Sequence, residues 1–165
     1  MRTVEVKVYK FAELSPKARD NARIALDQGF TSEDEAKNSI TALAEHFSGR
    51  VTDWSIDWTG CERSRMEFSM PDDLSTAEIH RRLKELTKGE CKLTGWCWDE
   101  SCTDGFRAAL RGGERDLTRL MEAAFAALIK DCVAEYESRQ TDEYLAEQCE
   151  AQEVEFWDDG SVFRE

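Results

Sequence analysis

Between Ser32 and Met70 the apolar residues change their spacing from a helical repeat to a two-residue one, so no all-helical or all-strand fold suits the chain. In SEDEAKNSITALAEHF, Ser32 and Glu35 have capping-box spacing, and Ala36, Ile40, Leu43, Ala44 and Phe47 form one stripe. That pattern predicts a helix which Gly49 stops. In VTDWSIDWT the repeat becomes strand-like, with Trp54, Ile56 and Trp58 alternating with Asp53, Ser55 and Asp57. After Thr59-Gly60-Cys61, Met66, Phe68 and Met70 alternate with Arg65, Glu67 and Ser69. An antiparallel hairpin follows from the two runs.

The flanking segments supply further elements. Val4, Val6 and Val8 alternate with Thr3, Glu5 and Lys7, which predicts a half-buried strand over Thr3 to Lys10. Ser15-Pro16 opens a helix to about Gln28, with Ala18, Ala22 and Ala25/Leu26 inward and Gly29 ending it. Ser75 and Glu78 repeat the capping box and Leu74 is spaced to staple on Ile79, opening a helix to about Leu86. In CKLTGWCWDESCTDGF the periodicity is mixed and two glycines intervene, so a short strand and a loop are expected. From Glu114 a long helix runs to about Tyr136, with Leu117, Leu120, Ala124, Leu128 and Cys132 inward. Thr141 caps a short helix through about Glu150, and VEFWDDGSVF reads as a hairpin around Asp159-Gly160. Strands and helices without regular βαβ spacing indicate α+β: a single domain, 1–165, with an antiparallel sheet packed on amphipathic helices.

At 165 residues and 41% hydrophobic content, with 5 Trp, the chain can bury a core despite 35% charged residues. Its start, MRTVEVKVYKF, has no signal-length apolar run, and no stretch approaches the roughly 20 apolar residues of a membrane helix. The expected location is therefore the cytoplasm, where Cys61, Cys91, Cys97, Cys102, Cys132 and Cys149 stay reduced.

Charge is distributed unevenly. Residues 113–165 carry a net −10 of the total −13. Such a field disfavours direct nucleic-acid or membrane binding and favours a basic partner. On the helix after Thr141, Glu143, Glu147 and Glu150 recur at i, i+4 and i+7, opposite Leu145 and Cys149. Their Cβ atoms are about 5–6 Å apart along such a face, and Glu153, Glu155, Asp158 and Asp159 extend the row. This partner-binding candidate would present carboxylates as a nucleic acid presents phosphates; the bland alternative is a solvated face that keeps the protein soluble.

Other chemistry is less well marked. Cys61, Cys91, Cys97 and Cys102 lack the two-residue knuckle of structural zinc sites, and only His46 and His80 could add imidazoles, so buried small hydrophobes are expected and no metal. Neither histidine has a nucleophile's local context, so no catalytic residue is assigned. Asp72-Asp73, Asp99-Glu100 and Asp158-Asp159 sit among turn residues, where Asp serves the backbone. Gly112-Gly113 lacks the Lys-Ser/Thr of a phosphate loop, so no nucleotide cofactor is indicated. Arg81, Arg82, Lys84, Lys88 and Lys92, near Trp96 and Trp98, form a basic cluster suited either to single-stranded nucleic acid or to pairing with the acidic segment. Trp54 and Trp58 read as core, and core burial is also expected for Trp96, Trp98 and Trp157 over a role as interface anchors.

Two segments carry a resemblance. The opening has Tyr9, Phe11, Glu13, Leu14, Ser15, Ala18, Arg19 and Ala22. The closing segment has Glu135, Tyr136, Glu137, Asp142, Glu143, Glu150, Glu153, Glu155, Phe156, Asp159 and Gly160. Together they resemble a family of acidic bacteriophage and prophage proteins sometimes labelled antitoxin-like; the middle, with QGFTSEDEAKNS, departs from that pattern. The resemblance implies a bacterial host cell. Joined to the charge pattern, it gives the expectation of a non-enzymatic phage protein that inhibits a host nucleic-acid-directed defence system, of anti-CRISPR or anti-restriction type, by DNA mimicry. Its partner would be a host or phage protein with a basic, nucleic-acid-binding surface. The alternative is an antitoxin-like protein neutralising a partner toxin.

Overall fold

The computed structural model describes residues 6–26, 33–57, 64–86 and 93–164. The fold is α+β, with six α-helices and one two-stranded antiparallel sheet among the described residues. The chain forms two compact units, residues 30–134 and a second built from residues 1–29 with 135–165.

The central unit begins with α2 (Glu33–His46), whose stripe Ala36, Ile40, Leu43, Ala44 and Phe47 is fully buried as its spacing predicts. The helix stops just before Gly49, as its pattern predicts. Ser48 adopts the left-handed conformation, with φ 64°, and the Ser48 and Gly49 amides donate to Glu45 O and Ala44 O in a Schellman motif. A Cβ at Gly49 would lie 2.2 Å from the Met70 sulfur, so a side chain there requires the Met70 end to move. Strands β1 (Arg50–Ser55) and β2 (Arg65–Ser69) pair antiparallel, with an irregularity between Val51 and Asp53. Met66 faces the core, Trp54 is half-buried with the Lys37 ammonium 3.9 Å from its ring centroid, and Trp58 and the expected turn lie outside the described residues.

Helix α3 (Thr76–Leu86) starts where Ser75 Oγ accepts from the Glu78 amide. Next comes the largest departure from expectation. Instead of a strand and loop, Trp98–Arg111 is a helix, α4, whose buried Trp98, Cys102, Phe106 and Leu110 recur every fourth residue. Asp99 organises its start from inside the first turn: its carboxylate accepts from the Thr94 and Gly95 amides and from Thr94 Oγ1. Thr94 Oγ1 also lies 3.1 Å from buried Ser39 on α2. Phe106 stacks on Phe47 with centroids 4.8 Å apart, and Gly105 lets α4 approach α5 (Leu117–Arg139), since a Cβ there would meet Ala127 Cβ at 2.5 Å. All five residues of α5 expected inward are buried, joined by Met121 and Phe125.

The second unit is made by the two ends of the chain. A 3₁₀ turn (Phe11–Glu13) leads into α1 (Pro16–Leu26), with Ser15 Oγ accepting from the Ala18 amide. Helix α6 (Asp142–Ala151) is capped by Thr141, which accepts from the Tyr144 amide. Phe11, Leu14, Ala18, Ala22, Leu145, Cys149 and Phe156 share one core. The strand expected over Thr3 to Lys10 is reduced, among the described residues, to a bridge at Tyr9, and Val6 is 47% exposed rather than inward. Tyr9 and Phe156 exchange both backbone hydrogen bonds at 2.9 Å, and Phe156 also bridges Val162.

That second bridge closes the expected C-terminal hairpin. The Gly160 amide donates to Trp157 O and the Trp157 amide to Ser161 O, a type I turn followed by left-handed Gly160 at φ 89°. A Cβ at Gly160 would lie 1.9 Å from Ala18 O, so the hairpin rests directly on the α1 backbone. Arg19 and Arg23 both bind the Asp142 carboxylate, tying α1 to the start of α6. Gly160→Ala combines a left-handed Cβ penalty with this clash and should cost about 2–4 kcal/mol of unfolding free energy. Urea denaturation followed by circular dichroism reads the loss directly.

Candidate functional site

All seven carboxylates of the acidic row are exposed: Glu143, Glu147 and Glu150 on α6, Glu153 and Glu155 beyond it, Asp158 and Asp159 in the hairpin turn. Two rules of local structure place them. On α6 the helical repeat sends Leu145 and Cys149 inward and the three glutamates out. In the hairpin, burial of Phe156 turns its neighbours Glu155 and Trp157 to solvent.

The seven do not have equal duties. Glu150 is 3.5 Å from the Lys10 ammonium, an exposed pair of little energetic weight. Asp159 accepts from the Ser161 amide and hydroxyl, which hold its carboxyl below the usual range, so it serves the turn. Glu143, Glu147, Glu153, Glu155 and Asp158 have no Lys or Arg within ion-pair distance among the described residues.

Glu153 occupies an unfavourable position. It is left-handed, with φ 54°, at the residue after the α6 cap, where its amide donates to Glu150 O and the Val154 amide to Cys149 O. Glycine suits this Schellman position, and a carboxylate at a helix C-terminus opposes the helix dipole. No basic residue sits in the last turn of α6 to offset it.

Beside the row lies a groove of about 880 Å³. Phe11, Ala146, Cys149, Val154, Val162 and Phe163 supply its apolar lining, and Lys10, Glu150, Glu153 and Glu155 its charged groups. Trp157, 39% exposed, meets Phe163 edge-on at 5.2 Å. Nothing in the linear pattern marks this groove, because its walls come from residues 10–12, α6 and the hairpin.

The other candidates are dispersed. Burial pushes the Cys102 and Cys149 thiols up, which keeps them protonated, and Cys132 is buried too. Cys97 is exposed, and Cys61 and Cys91 lie outside the described residues. Trp98 is buried as expected, whereas Trp96 at 47% and Trp157 are exposed, against the expectation of core burial. His80 is exposed, and His46 Nε2 lies 3.0 Å from Arg82 O. Of the basic cluster, Lys88 and Lys92 lie outside the described residues; Arg81 and Arg82 bind Glu78, Arg81 also binds Glu85, and Arg82 reaches His46 O and Ser48 Oγ. Both arginines are thus paired on their own helix, and Arg82 also at the end of α2.

No protein-family model, curated protein or solved structure matches this chain. Within the structure, Phe11, Leu14, Ala18 and Ala22 share one core with Leu145, Cys149 and Phe156, Tyr9 pairs with Phe156, and Gly160 lies against Ala18.

Hydrogen bonds from Arg81 and Arg82 hold the Glu78 carboxyl down from its ordinary 4.5 to about 2. A carboxyl depressed in the folded state adds stability above its unfolded value and loses it as pH falls through the folded one. Thermal melts should therefore show a loss between about pH 4.5 and pH 2, and Glu78→Gln should remove that part of the acid sensitivity. An unchanged acid profile in the variant would show that this pair sets none of it.

Proposed function

We propose that the protein acts by binding, not by catalysis, and that its acidic row occupies the basic, nucleic-acid-binding surface of a partner protein. The observation that carries this reading is the exposure of all seven carboxylates along α6 and the hairpin, five of them without a cationic partner among the described residues. An outward row of negative charge steers a basic surface towards itself and repels nucleic acid competing for the same partner. The protonated, buried thiols Cys102 and Cys149 are poor nucleophiles, which agrees with a binding role. Among the described residues no helix is long and apolar enough to cross a membrane, and no cluster of three or more metal-ligating side chains occurs. The resemblance in the two end segments adds the biological setting: a phage protein that blocks a host nucleic-acid-directed defence system.

The test is affinity capture from a nuclease-treated bacterial lysate, comparing the wild type with the triple variant Glu143→Lys, Glu147→Lys, Asp158→Lys. These residues bear no ion pair among the described residues, so the far-ultraviolet spectrum and melting temperature should change little. The expected result is a nucleic-acid-binding protein retained by the wild type, released by added duplex DNA and lost from the variant. Retention by the variant at moderate salt, equal to the wild type, overturns the reading.

A further inference from the structure

The groove beside the acidic row is a second recognition element with chemistry of its own. Its lining is mixed: Phe11, Val154, Val162 and Phe163 supply apolar surface, while Lys10, Glu150, Glu153 and Glu155 stand among the lining residues. We propose that it receives a segment of the partner protein in which an apolar side chain is flanked by Lys or Arg. This inference rests on the binding role assigned above and names what the partner must carry besides positive charge.

Three observations select that occupant. First, the charges lining the groove are three carboxylates and one ammonium. The ammonium, Lys10, already lies on Glu150, so the chain itself shows how a cation is taken up there. Glu153 and Glu155 have no such cation among the described residues and match an incoming Lys or Arg. Second, an all-basic ligand would leave the apolar lining wet, whereas one Leu- or Phe-sized side chain would displace water from it. Third, Glu153 holds its place against local preference, in a left-handed conformation that glycine adopts without cost and at the helix end that disfavours an anion. Its carboxylate therefore serves neither the backbone nor the helix dipole and stays available to an incoming cation.

Two variants separate this inference from the wider one. Ala12 is exposed, lines the groove, and contributes only its carbonyl to the fold, as acceptor for Arg19. Ala12→Phe fills the groove while leaving every carboxylate of the acidic row in place. Glu153→Gly removes the carboxylate and should raise the melting temperature while weakening binding, a pairing that a merely structural residue would not give.

The probe is a pair of synthetic hexapeptides of equal charge, acetyl-Lys-Leu-Arg-Phe-Lys-Leu-amide and its counterpart with Ser at each apolar position, followed by backbone amide NMR titration. The expected result is that the first peptide shifts the signals of Ala146, Cys149, Val154, Val162 and Phe163. Its affinity should fall on the order of tenfold in Ala12→Phe, about the effect of losing one buried apolar contact. The serine peptide should shift only the exposed carboxylate positions such as Glu143, Glu147 and Asp158.

Equal binding of both peptides, with no shift in the groove signals, overturns the groove proposal and leaves the acidic-row reading standing. Binding of neither peptide also overturns it, and the lysate capture then judges the row alone. Shifts that grow with protein concentration before any peptide is added identify a second copy of this chain as the occupant and overturn the proposal.

Discussion

Phe156 is the constraint on which the chain-end unit depends. Its amide and carbonyl both pair with Tyr9, its backbone bridges Val162 on the other side, and its side chain is fully buried against Phe11, with ring centroids 6.1 Å apart. One residue thus joins the first segment, the hairpin and the core beneath α6. Gly160 completes the arrangement by letting the turn rest on α1, where any side chain would collide with backbone rather than with a movable side chain. The orientation of the acidic groups follows from the same residue, because an inward Phe156 leaves no inward place for Glu155 or Trp157.

This dependence links the two ends of the chain. Phe11, Leu14, Ala18 and Ala22 of the opening segment share one core with Phe156, and Gly160 rests on Ala18. Neither segment has a core without its counterpart. The exposed residues of these segments, among them Glu150, Glu153 and Glu155, are not explained by packing. They are where a search for function belongs.

The elements that were legible were those whose pattern alone selects one period. Helices α2 and α5 have stripes long enough that periodicity decides, and Thr141 announced α6 through its cap. Helix α4 was missed although Trp98, Cys102, Phe106 and Leu110 recur every fourth residue. Its start carries no ordinary cap signal: Cys97 makes no side-chain capping bond, and the organising carboxylate of Asp99 lies inside the helix and reaches back to Thr94 and Gly95. Gly105 read as a breaker, yet it is a contact point with α5. Helix ends were legible to within a few residues, although Ser48 and Glu153 rather than glycines take the left-handed positions. The outward row at the site was readable from helical and strand periods, whereas the groove joins three segments and has no linear signature.

Because the chain-end unit closes only through contacts such as Arg19 with Asp142, 123 residues apart, its two halves are interdependent in time as well as space. Any state in which the hairpin is displaced leaves Phe11, Leu14, Ala18 and Ala22 uncovered, a patch of the kind chaperones and proteases recognise. The central unit, drawn from one continuous stretch, has no such requirement. The acidic segment is therefore no detachable tail: removing it would strip the cover from the beginning of the chain, turning a charged surface into a sticky one.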